Sequence, residues 1–149
     1  MTGFFGNTIL WTAVTAAILA QLLKIVLVFV TEKRLALDRI VETGGMPSSH
    51  SAAVSALATG VGFQHGWGST LFAIAAVFGF IVMYDATGIR RAAGLQAELI
   101  NELVEQLGHL FDDGFQPQIL KTLLGHTYPQ VILGALLGVT TGVISFAGA

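Results

Sequence analysis

Two histidines in this sequence stand among residues that could share a reaction. His50 follows Gly44-Gly45-Met46-Pro47-Ser48-Ser49, and His126 sits in Gly125-His126-Thr127-Tyr128-Pro129. Between them, Asp85 and the pair Arg90-Arg91 supply one carboxylate and two guanidiniums. These types suit phosphoryl transfer. One imidazole attacks phosphorus and carries the phosphoryl group, and the other protonates the leaving oxygen. Arginines hold the equatorial oxygens, where the negative charge sits. Ser48, Ser49 and the free N–H groups of a helix starting there add neutral donors, and Gly44 and Gly45 let the backbone approach a phosphate closely. The chain has no cysteine, so thiolate metal sites are excluded. Asp112-Asp113-Gly114 reads as a solvated turn. Neither a metal nor another cofactor is expected.

The elements that position these groups are apolar. Of 149 residues, 54% are hydrophobic and 11% charged, with a net charge of −2. A soluble domain carries about 25% charged residues, so this composition points to a bilayer and the net charge argues against nucleic acid. Residues 8–30 hold one charge, Lys24, and are long enough to span. Residues 51–63 form a shorter run rich in Ala, Ser and Gly, expected in the bundle interior, where small residues let helices approach. Residues 70–84 and 130–146 are two further spans. Leu95, Leu99, Ile100, Leu103, Val104, Leu107, Leu110 and Phe111 recur at helical spacing opposite Glu98, Glu102 and Glu105, so residues 95–111 should form an amphipathic helix. Its acidic face disfavours anionic lipid, and it is expected to pack on the bundle or on a second copy, making a homo-oligomer. The expected fold is all-α: one domain, residues 1–149, of about four spans plus one amphipathic helix.

Four crossings put Lys33, Arg34, Arg39, Arg90, Arg91 and Lys121 on one side, and the two termini with the uncharged turn 64–69 on the other. Basic loops stay cytoplasmic. The charged face is therefore expected inside, the termini outside, and His50, Asp85, Arg90, Arg91 and His126 at one cytoplasmic surface. His65 and His109 lack polar company and read as surface residues.

The segment GGMPSSHSA, residues 44–52, resembles the Pro-Ser-x-His motif of the type 2 phosphatidic acid phosphatase superfamily, to which vanadium haloperoxidases also belong. GHTYPQVILGALLG, residues 125–138, resembles that superfamily's last motif, a histidine preceding a membrane helix with Val and Gly at matching spacings. The segment YDATGIRRAAGLQAELIN and the short length place the chain nearest a divergent bacterial branch, and the resemblance runs from Gln21 to Gly138. It implies His126 as nucleophile and His50 as general acid. The acid that usually orients the nucleophile, four residues on, is replaced by Gln130, an amide that accepts an imidazole N–H but steadies an imidazolium less well. Asp85 is the carboxylate expected to stand in for it. The arginine usual six residues before the nucleophile is Leu120, so Arg90 or Arg91 should supply that charge. The Lys-x6-Arg-Pro motif is missing, and Lys24 is its candidate replacement. The reading is a metal-independent phosphatase of the bacterial inner membrane acting on a lipid phosphomonoester such as phosphatidylglycerophosphate or phosphatidate. The rival reading is a non-enzymatic protein that binds or transports anionic lipid or phosphate. Haloperoxidase chemistry fits less well, because few basic residues are present to cage vanadate.

Overall fold

The computed structural model describes residues 3–33, 45–108, 118–122 and 124–148. Gly44, Arg34, Arg39, His109, Leu110, Phe111 and the Asp112-Asp113 pair lie outside the described residues. After a short 3-10 turn at Phe4–Gly6 come α1 (Thr8–Glu32), α2 (Ser49–His65), α3 (Thr70–Thr87), α4 (Ile89–Gln106) and α5 (Tyr128–Phe146). Three helical stretches, Thr8–Thr31, Thr70–Gln106 and Tyr128–Phe146, are long and apolar enough to cross a membrane. Helix α2, at 17 residues, is shorter and less apolar, but it packs against α1, α3 and α5 and so forms the centre of the bundle.

The starts of three helices follow from their caps. Asn7 accepts the Leu10 N–H at 3.0 Å, Ser48 the Ser51 N–H at 3.3 Å, and Ser69 the Phe72 N–H at 3.1 Å. Burial is inverted relative to a soluble protein. Ala16, Ala20, Ala52 and Ala56 make the central cluster, whereas Ile18, Leu22, Val26, Phe29, Ile74, Phe78, Phe80, Ile132 and Ile144 face outward. A bilayer offers large apolar side chains as favourable a surrounding as a protein core, so close packing between helices falls to small residues.

That packing is tightest between α2 and α5. Gly134, Gly138 and Gly142 recur every fourth residue along one side of α5. A Cβ at the first two would overlap the Ser48 and Ala52 carbonyl oxygens, and at the third the Thr59 side chain. At one end of the bundle, Gln64 Nε2 donates to Thr8 Oγ1 at 2.7 Å and Phe63 stacks on Phe146 with ring centroids 6.5 Å apart. The α1 start and the α2 and α5 ends therefore meet, as the alternating threading requires. Among the described residues, the opposite ends of these helices, with the end of α3, carry Lys33, His50, Asp85 and, just before α5, His126.

Helix α4 begins at Ile89, directly after a break at Gly88, rather than at Leu95. Its apolar stripe is not what touches the protein: Leu95, Leu99, Leu103 and Leu107 remain exposed. Contact is made by small and polar residues. A Cβ at Gly94 would lie 2.7 Å from the Thr122 carbonyl oxygen. The Asn101 amide exchanges two 2.9 Å hydrogen bonds with the Leu120 backbone. An extended backbone can lie this close only along a face without bulky side chains.

Candidate active site

At the charged end of the bundle a cleft of about 190 Å³ is lined by His50, Ile81, Val82, Asp85, Ala86, Arg90, Gly125 and His126. His50 is exposed in the first turn of α2, which the Ser48 cap fixes. The last turns of α3 supply Ile81, Val82, Asp85 and Ala86, and the first turn of α4 supplies Arg90. His126 is 4% exposed, and its backbone N–H donates to the Ala86 carbonyl at 2.8 Å. Gly125 has φ +79°, and a Cβ there would overlap the Arg91 backbone. Only glycine allows both that conformation and that approach, so Gly125 seats the nucleophile candidate on the α3–α4 corner.

The His126 ring is oriented from within its own helix start. Gln130 Oε1 accepts the Thr127 backbone N–H at 3.0 Å and lies 3.2 Å from His126 Nδ1. The backbone donor identifies the near Gln130 atom as the oxygen, which can only accept, so Nδ1 carries the ring proton in the neutral imidazole. Nε2 then keeps its lone pair. Burial holds the His126 pKa below the usual histidine value. The Gln130 hydrogen bond and the Gly45 backbone oppose that shift, and Lys24 and His50 add to it. The ring is thus neutral, and able to attack, at neutral pH. Gln130→Glu is expected to raise the His126 pKa, because a carboxylate favours the imidazolium. A rate that needs neutral His126 would then have its acid limb shifted to higher pH. Gln130→Ala should free the tautomer, which the ring-nitrogen shifts of His126 would show as exchange between the Nδ1–H and Nε2–H forms. Histidine NMR titration of the Gln130→Glu protein checks the first expectation, and an unmoved His126 resonance would contradict it.

Lys24 is 2% exposed within α1, and its charge acts on both imidazoles. Gly45 at φ +92° lets the loop close over the lysine stem, where a Cβ would meet Lys24 Cδ at 3.1 Å. Arg90 Nε bonds Asp85 Oδ2 at 2.6 Å.

The cleft therefore gathers His50, His126, Asp85 and Arg90, with Lys24 acting on both imidazoles. Asp85 bonds Arg90, while Gln130 orients His126. The other expected residues lie elsewhere. Ser48 is fully buried: its Oγ accepts the Ser51 N–H and bonds Ser51 Oγ at 3.0 Å, and its N–H donates to the Gln130 carbonyl at 3.0 Å. Ser49 borders a separate apolar cavity with Ile18, Leu22 and Ile25. Arg91 and Gly45 line a second cavity of about 230 Å³, with Glu98, Thr122 and Gln130, and the Gly125–His126 segment borders both. Gly125 and the Ala86 carbonyl were not singled out from sequence. The one trace of the former is a glycine directly before the histidine. Among the described residues no three His, Asp or Glu side chains gather as metal ligands would.

Comparison with known proteins adds to this geometry. The chain is 42% identical over 142 residues, 89% of its own length and 90% of the relative's, to the uncharacterized membrane protein YuiD of Bacillus subtilis (strain 168). No solved structure matches it. The Divergent PAP2 family matches residues 5–141, a stretch that holds α1 to α4, every residue of the cleft and most of α5. With its helical bundle, its apolar exterior and its paired histidines, this integral membrane protein belongs to the Divergent PAP2 family.

Proposed function

We propose that the cleft hydrolyses a lipid phosphomonoester, phosphatidylglycerophosphate- or phosphatidate-like, through a phosphohistidine on His126. The observation that carries this reading is that His50, His126 and Arg90, from three separate parts of the chain, line one cleft. His126 Nε2 attacks phosphorus, the bond from phosphorus to the lipid oxygen breaks, and His50 gives that oxygen its proton. Water then attacks phosphorus, His50 takes the water's proton, and the P–N bond breaks to release inorganic phosphate. Arg90 and the Lys24 charge offset the phosphoryl oxygens in both steps. The family's description supports a phosphatase relationship. Ile81 is 58% exposed and lines the cleft from α3, so the cleft has an apolar wall open to its surroundings, which supports a lipid substrate. The excess of Lys and Arg at this end supports a cytoplasmic cleft, with the termini outside.

One observation favours a second reading, binding or transport of an anionic lipid without chemistry: the group on His126 Nδ1 is the amide of Gln130, which steadies an imidazolium less well than a carboxylate would. Phosphate release by the purified protein, measured on mixed micelles of each lipid, decides between the two. Release from a phosphomonoester lipid is expected. Saturable lipid binding with no release would favour the second reading.

A further inference from the structure

Residues five apart on a continuous helix point about 140° away from each other, so Asp85 and Arg90 would not meet on one. They meet because the helix breaks at Gly88, whose φ and ψ are −99° and −92°. A side chain is poorly accommodated there, since a Cβ would lie 3.0 Å from the Tyr84 carbonyl oxygen. The resulting ion pair uses a single guanidinium nitrogen, Nε, at 2.6 Å from Oδ2. That leaves the edge formed by the two terminal nitrogens, the edge that matches two oxygens of a phosphate. Both residues line the cleft that holds His50 and His126.

We propose that Asp85 is a positioning residue for Arg90: it grips the guanidinium by Nε and presents the opposite edge to the phosphoryl oxygens. The proposal rests on the reading of the cleft as a phosphate site. It gives the carboxylate a task on the arginine instead of on the nucleophilic ring, which Gln130 already orients. Arginine has many rotamers, and half of this side chain is in solvent. Without the carboxylate each phosphate encounter would have to order it again.

The test is a double-mutant cycle on the full chain in detergent micelles, with orthovanadate binding read by calorimetry. Asp85→Ala should weaken orthovanadate about tenfold, the cost of ordering one rotamer-rich side chain. Arg90→Gln should weaken it at least as much, and the double variant should bind no worse than Arg90→Gln alone. Asp85→Asn keeps an oxygen that accepts from Nε and should restore part of the loss. Tighter or unchanged binding by Asp85→Ala would overturn the proposal, since the carboxylate would then only repel the anion or do nothing. An equal loss with and without Arg90 would also overturn it, because Asp85 would then act on His126 or on folding. If the unsubstituted protein fails to bind orthovanadate, the phosphate-site reading falls first, before any variant is compared.

Discussion

Under the proposed phosphohistidine route, replacing His126 by alanine is expected to lower phosphate release from a lipid phosphomonoester by about 10³-fold or more while leaving the bundle folded. The size follows from the role. A nucleophile that forms the covalent intermediate cannot be bypassed by better binding, and what remains is the contribution of the charges and the acid. The fold should survive because the backbone N–H at this position still donates to the Ala86 carbonyl and Gly125, not the imidazole, sets the turn. Single-turnover mixing with ³²P-labelled lipid followed by alkaline quench gives a second readout: acid-labile, base-stable label on the unsubstituted chain and none on His126→Ala. Equal release by both proteins would remove His126 from the chemistry, and with it the phosphohistidine route.

The second large effect is structural. Gly138→Leu should destabilise the bundle by more than about 3 kcal/mol, at or beyond the usual range for overpacking. In a typical overpacked core neighbouring side chains can turn aside. At Gly138 the obstacle is the Ala52 backbone carbonyl, which can move only if α2 moves, and α2 is in contact with α1, α3 and α5 at once. The displacement would travel to the cleft, because the Ser48 N–H bonds the Gln130 carbonyl on the same pair of helices. Size-exclusion profiles in mild detergent and the midpoint of unfolding in SDS measure the loss. A variant as stable as the unsubstituted protein would mean that α2 and α5 are less tightly joined than the glycine stripe implies.

Hydropathy located the helices but not their ends. The first span, expected over 8–30, runs Thr8–Glu32, and the last, expected from 130, starts at Tyr128 because Thr127 stands at its cap and Pro129 in its first turn. Helix α2 starts at Ser49, as the serine pair before His50 leads one to expect, because Ser48 is the cap, while α3 continues past Asp85 to Thr87. Polarity reports solvent preference, and a polar residue at a span end can still be helical. The gathering of His50, Asp85, Arg90 and His126 was legible because alternating spans place their ends on two surfaces only. Which arginine enters the cleft was not legible. It depends on the two dihedral angles of Gly88, and a one-residue change in that bend would exchange Arg90 for Arg91. The same limit applies to Ser48 and Ser49. Their types suit anion binding, but one is turned inward as a helix cap and the other borders the α1 side.

The alanine-rich centre of the bundle changes how this protein's tolerance to mutation should be mapped. Truncating side chains one at a time would find little in its middle, since the residues there are already the smallest available. Enlarging them one at a time would trace the seams between helices directly. Losses from truncation would cluster instead on the outer surface, where they would register as apolar area withdrawn from the hydrocarbon and not as holes in a core.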